Sequence, residues 1–349
     1  MKKHWIFLIL MLLPAWSLIA QGVDHQGLSL AKKVDDVLWY HKVSDVAYID
    51  KVYIPTTPRW KEANPTGQGA GNPLKIWSYI FVPKNIDPSK KYPLIVLPHG
   101  GVHGDFTTYH THIVRELMAQ GYIVIATEYR GSTGYGRGLY ENIDYGGREN
   151  DDVWYGRNYM VENYDIVDKS RIGIIGWSHG GMITLMNLFQ YPKDYACGYA
   201  GVPVSDLIAR LGYKRPAYGA LFSAPYHIGK TPEQDVEEYR RRSPAWQAHK
   251  LQTPLLIYTN TNDEDVNSLE VEHLIKALQA EGKSFEYKIF EDEPGGHSFD
   301  RMDHAAASAM RLDIYKFLAK YLKPPKPFKN VKELRRAAYE PWHTGNPAH

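Results

Sequence analysis

Ser178 stands in Gly176-Trp177-Ser178-His179-Gly180, followed by Gly181. A serine hydroxyl is a weak nucleophile until a base takes its proton. Glycines two residues to either side allow the sharp strand-to-helix turn that lifts such a serine clear of its own backbone. The chemistry predicted is acyl transfer: attack on a carbonyl, a tetrahedral oxyanion, a covalent acyl-enzyme and its hydrolysis. His297, in Gly295-Gly296-His297-Ser298, follows in the chain as the expected base. The acid that orients the imidazole is expected in Asn262-Asp263-Glu264-Asp265-Val266, where three carboxylates compete for the role. The oxyanion needs two donors. One is expected from the backbone N–H of His179, the other from the turn His99-Gly100-Gly101, where missing side chains let N–H groups reach a substrate oxygen.

These residues need a scaffold that holds turns at the ends of buried strands. Hydrophobic periodicity predicts strands over 47–54, 74–82, 94–97, 122–127, 172–175, 255–259 and 285–290. Helices are predicted over 30–42, 111–120, 151–162, 182–189, 269–280 and 303–321. Buried strands alternating with amphipathic helices imply a mainly parallel sheet covered on both faces, an α/β architecture. Residues 92–322 form the expected catalytic domain, with 23–91 supplying an N-terminal helix and the first strands that pack on it. Residues 207–247 break the rhythm and read as a cap inserted over the sheet's C-terminal edge. Residues 323–349, with Pro324, Pro325 and Pro327, read as a Pro-rich basic tail.

Of 349 residues, 44% are hydrophobic and 23% charged, and the formal net charge is only +2, so no electrostatic footprint points to nucleic acid. Residues 1–22 carry Lys2 and Lys3, an apolar run over 5–13 and small residues around Ala20-Gln21-Gly22. That is the layout of a secretory signal peptide, with an uncleaved membrane anchor as the alternative. The expected location is the bacterial periplasm or the exterior, with no membrane span after removal of the signal. The single cysteine, Cys197, sits in an apolar stretch and is expected to be a small core residue. His99, His103, Asp105, His110 and His112 cluster in sequence, but their spacing matches no zinc pattern. Gly131-Ser132-Thr133-Gly134-Tyr135-Gly136 lacks the lysine of a phosphate loop. Neither metal nor cofactor is expected; the expected partner is a peptide or other small substrate.

Residues 92–321 resemble the catalytic domain of the prolyl-oligopeptidase-like serine hydrolases, of the α/β-hydrolase fold. The likeness rests on Tyr92-Pro-Leu-Ile-Val with His99-Gly-Gly, Glu128-Tyr-Arg-Gly-Ser-Thr-Gly-Tyr-Gly136, Gly176-Trp-Ser-His-Gly-Gly181, Glu238-Tyr-Arg-Arg-Arg-Ser-Pro244, Thr253-Pro-Leu-Leu and Gly296-His297. The family's acid lies three residues before a valine, which implies Asp263 through Val266. Family peptidases usually carry a β-propeller before this domain, and the roughly seventy residues between the signal and Tyr92 are too few for one. Some members place a tyrosine hydroxyl in the oxyanion site; His99 occupies the matching position here, leaving backbone donors or its imidazole. His99, Trp177 and Tyr135 are expected near the substrate. The leading expectation is cleavage of peptide or acyl-amide bonds in small substrates. The alternatives are a carboxylic-ester hydrolase, of carbohydrate or feruloyl esters for example, and a non-catalytic binding protein.

Overall fold

The apolar runs of the chain pair into one eight-stranded sheet in the computed structural model, which describes residues 23–62, 64–214 and 216–339. The expected signal segment, residues 1–22, lies outside them. The strands are β1 (Ala47–Pro58), β2 (Pro73–Pro83), β3 (Tyr92–Val96), β4 (Ile123–Thr127), β5 (Val167–Trp177), β6 (Cys197–Gly201), β7 (Leu255–Asn260) and β8 (Glu286–Phe290), in spatial order β1-β2-β4-β3-β5-β6-β7-β8. The pairs β1/β2 and β2/β4 are antiparallel, and every later pair is parallel.

Alternation along the strands splits the core into two apolar layers. Leu94, Val96, Ile123, Ile125, Ile172 and Ile174 face the helices Arg148–Asn163, His179–Gln190 and Ser268–Ala280. Ile95, Val124, Ile175 and Tyr199 face the opposite layer, with His25–Val43, Thr111–Gln120 and Ala305–Leu322. Every residue of β3, β4, β6 and β7 is buried. At roughly 1.5–3 kcal/mol for each large apolar side chain, these layers are the main drive to fold. The parallel strands end together, so the turns after β3, β5, β7 and β8 gather on one edge, the rule for ligand sites in open α/β sheets.

Among the elements that periodicity did not give are a strand and a C-terminal helix. β6 reads Cys-Gly-Tyr-Ala-Gly, with little of the β-branched signal of a strand. Its glycines answer to packing: a Cβ on Gly198 would lie 2.7 Å from a Leu188 methyl, and one on Gly201 2.3 Å from the Trp177 ring. Cys197 is buried in this strand, and burial raises its thiol pKa, in keeping with a core role. The second addition corrects the reading of a Pro-rich tail. The prolines form a short connection to a helix, Val331–Ala338, which buries Leu334 and Ala338 in the second apolar layer's neighbourhood, beside the helix Thr111–Gln120. The cap region folds as short helices Leu207–Tyr213, Pro216–Ser223 and Val236–Arg241. Among the described residues no helix is long and apolar enough to cross a membrane.

Candidate active site

Ser178 sits between β5 and the helix His179–Gln190 with φ 60° and ψ −123°. A non-glycine residue in such a region costs on the order of 1–3 kcal/mol, and the neighbouring packing holds it there. The turn fits because of its glycines. A Cβ on Gly176 would lie 2.2 Å from the Gly180 carbonyl oxygen, and one on Gly180 2.4 Å from that of Pro98. Ser178 caps the helix N-terminus, so the positive end of the helix dipole faces the space in front of the hydroxyl. That space is a cavity of about 370 Å³ lined by Gly100, Gly101, Ser178, His179 and His297, with Tyr145, Arg210 and Asp265 among its other walls.

The imidazole arrives from the loop after β8. Gly295 and Gly296 take positive φ there, and the Asn260 amide at the end of β7 donates to the carbonyls of Glu293 (2.8 Å) and Gly296 (3.3 Å), tying the two loops together. His297 Nδ1 lies 2.7 Å from Asp263 Oδ2. The other Asp263 oxygen accepts the backbone N–H groups of Asp265 and Val266, each at 2.8 Å. The Asp263 side chain is fully buried, so these bonds replace its lost hydration. An unprotonated carboxylate accepts only; the imidazole proton therefore sits on Nδ1, leaving Nε2 as a base. The two rival acids make no such bond: Asp265 is mostly exposed and pairs with Lys214 at 3.4 Å, while the Glu264 carbonyl accepts from the same lysine.

Gly100, Gly101 and His179 line the cavity. The Tyr129 hydroxyl braces the turn, lying 3.0 Å from the carbonyl oxygens of both His99 and Gly101. A Cβ on Gly100 would lie 3.2 Å from the Trp177 carbonyl oxygen, so the turn passes close to the nucleophile.

Three residues expected near the substrate lie elsewhere. His99 is buried behind the turn; its Nε2 lies 2.8 Å from Ser132 Oγ and 3.3 Å from Glu128, and Nδ1 2.9 Å from the Gly100 carbonyl. Its imidazole is thus engaged away from the cavity and supplies no donor to it. Trp177 precedes Ser178 on a strand, so its side chain points to the other face, where Nε1 donates to Asp300 at 2.7 Å. Tyr135 donates to Glu128 at 3.1 Å, beneath the N-terminal helix. Sequence reasoning missed Arg210, Tyr218 and Tyr145, which stand in the walls. No spacing rule singles out these positions. His110 was considered only as a metal ligand and lines the cavity. His103 and His112 turn instead to the carbonyls of Gly131 (3.0 Å) and Arg301 (2.8 Å).

A buried ion network connects the N-terminal helix to the oxyanion turn. Lys32, 3% exposed, reaches Glu128 at 2.5 Å and Asp105 at 3.2 Å, and donates to the Phe106 carbonyl. The glycine-rich segment 131–136 wraps this lysine: a Cβ on Gly134 would lie 2.7 Å from the Lys32 Cβ. Burial alone would push the Glu128 carboxyl up, but the Lys32 charge and the His99 contacts outweigh it and hold Glu128 at about 2. Because the folded value lies below the ordinary 4.5, Glu128 contributes stability that is complete above about 4.5 and lost as pH falls toward 2. Removing the lysine would leave a buried carboxylate unpaired, a loss of about 3–5 kcal/mol. Lys32→Met is therefore expected to lower the thermal midpoint at pH 7 and to shift acid unfolding to higher pH. Superimposable pH–stability curves for the two proteins would disprove this.

The strained serine after β5, the histidine after β8 and the sheet order now stand together. The profile of the prolyl oligopeptidase family matches residues 109–325, more than half of the chain. The chain belongs to the prolyl oligopeptidase family. It is 28% identical over 263 residues to a dipeptidyl aminopeptidase BIII of Pseudoxanthomonas mexicana, covering 72% of this chain and 37% of that protein. It is 26% identical over 305 residues to the acylamino-acid-releasing enzyme of Arabidopsis thaliana, covering 83% and 39%. The chain thus spans little more than a third of the length of these two relatives. Among solved structures, a puromycin hydrolase aligns with TM-score 0.66 at 22% identity (81% of this chain, 40% of that one). A Pyrococcus horikoshii acylaminoacyl peptidase aligns with TM-score 0.65 at 21% identity, covering 83% and 44%. These show that the fold is that of the family's α/β-hydrolase domain.

Proposed function

We propose that this prolyl oligopeptidase family member is a serine peptidase that cleaves peptide or acyl-amide bonds of small substrates through Ser178, His297 and Asp263. The observation that carries the reading is the convergence on one cavity of a strained serine and a histidine whose Nδ1 is held by a buried carboxylate. Ser178 Oγ attacks the scissile carbonyl while His297 Nε2 takes its proton. The oxyanion is held by the N–H of His179 and by backbone donors of the Gly100–Gly101 turn. The C–N bond then breaks, His297 returns the proton to the departing amine, and water repeats the sequence to free the acid and regenerate the serine. Similarity to dipeptidyl and acylamino-acid-releasing enzymes supports amide rather than ester substrates. We also read residues 1–22 as an export signal, which places the working enzyme in the periplasm or outside the cell; N-terminal sequencing of the processed protein reads this directly.

The test is a panel of aminoacyl, dipeptidyl and N-acyl-aminoacyl nitroanilides beside nitrophenyl and feruloyl esters. Release of nitroaniline, lost on Ser178→Ala, is expected. Ester turnover with no amide hydrolysis across the panel would replace the peptidase reading with the esterase one. Turnover of nothing, with Ser178 inert to a fluorophosphonate, would point to a binding protein.

A further inference from the structure

Arg210 has an arrangement that neither the triad nor the oxyanion site uses. It stands on the cap helix Leu207–Tyr213, which Asp206 caps by accepting from the N–H groups of Ile208 and Ala209. Val204, two residues before that cap, donates its N–H to the Ser178 carbonyl, so the nucleophile and the start of the cap are joined by a short rigid connection. Arg210 is only 4% exposed and stands in the wall of the cavity in front of Ser178. One end is anchored: Nη1 donates to the Tyr213 hydroxyl at 3.0 Å and to Glu270 at 3.1 Å. The guanidinium lies 5.2 Å from the centre of the Tyr218 ring, which also lines the cavity. Nη2 has no acceptor among the described residues, yet it is not one of the sealed, unpartnered atoms. A guanidinium anchored through Nη1 therefore stands in the cavity wall with a donor that no described residue uses.

The other charges of the cavity have partners of their own. Asp105 is paired with Lys32 at 3.2 Å, and Asp265 with Lys214 at 3.4 Å. Arg301 donates to the His297 carbonyl and lies 3.7 Å from Asp300. Glu270, the partner of Arg210, is fully buried, and one of its oxygens has no hydrogen-bond partner. Burial, opposed chiefly by Arg210, pushes the Glu270 carboxyl up from its ordinary value. Guanidinium held in a dry wall favours a carboxylate over a neutral group, because a charge-assisted bond is roughly twice as strong as a neutral one.

We propose that Arg210 is a specificity-determining residue that binds a carboxylate of the substrate next to the scissile bond, making acidic peptides the preferred substrate class. This rests on the reading that Ser178 cleaves acyl bonds in this cavity.

The test compares matched nitroanilide and internally quenched peptides with Glu or Gln at each position flanking the scissile bond, for wild type, Arg210→Met, Arg210→Glu and Glu270→Gln. At one of the positions the wild-type Glu/Gln ratio of kcat/KM is expected to be about ten- to a hundredfold. It falls to near one in Arg210→Met and is retained in Glu270→Gln. In Arg210→Glu it drops below one and Lys replaces Glu as the better residue, a reversal that mere structural damage does not produce. A ratio near one in wild type at every position, or a preference for Glu that survives Arg210→Met, overturns the proposal. The same peptides are scored as competitors that slow fluorophosphonate labelling of Ser178. Failure to hydrolyse any peptide would count against the peptidase reading, whereas equal protection by Glu and Gln peptides would count against Arg210.

Discussion

Ser178→Ala and His297→Ala are each expected to lower kcat by about a million-fold, to whatever the oxyanion donors alone sustain. The size follows from cooperation: without the hydroxyl there is no acyl-enzyme, and without the imidazole no acceptor for its proton, so losing either costs nearly as much as losing both. Neither change should unfold the protein. The Ser178 backbone bonds to Gly201, Met182 and Val204 do not involve its side chain, and the His297 ring has one strong protein contact, at Asp263. Steady-state turnover of a nitroanilide checks this beside a melting curve. Activity within tenfold of wild type in either folded variant would remove the mechanism.

Asp263→Asn is the second large effect, about ten-thousand-fold in kcat. The amide keeps one oxygen for the N–H groups of Asp265 and Val266, so the loop survives. Its NH2 then faces His297 Nδ1, which becomes an acceptor and drives the ring proton onto Nε2. The histidine is held in position with the wrong tautomer and cannot accept from Ser178. Asp265→Asn and Glu264→Gln carry no such penalty and should retain activity within about tenfold, because neither side chain touches the imidazole. Should Asp265→Asn be the variant that fails, with Asp263→Asn active, the acid has been misassigned.

The parts of this molecule that were legible in its sequence are those fixed by local rules. Gly176 and Gly180 betray a turn whose backbone admits no side chain; Asp263 follows a strand with a continuous apolar run, and His297 one in which apolar and polar residues alternate. Choosing Asp263 over its neighbours took the family's spacing to Val266, and the bond to His297 now gives the physical reason. What escaped was set by distant packing. The β6 strand carries Gly198 and Gly201 because Leu188 and Trp177 press on it, so its sequence lacks a strand's signature. Trp177 and Tyr135 looked like pocket residues by proximity in sequence, but strand alternation turns the first into the core and the buried ion network claims the second. Arg210 and Tyr218 reach the cavity only through the fold of the cap. Lys32 carries no local signal; only the packing of its helix seats it against Glu128.

The most direct measurement of the central claim is peptide mapping by mass spectrometry after reaction with a fluorophosphonate. One stoichiometric adduct is expected on the peptide that contains Ser178, absent from Ser178→Ala and formed far more slowly in Asp263→Asn. An adduct on a different serine, or none on the folded wild-type protein, would contradict it.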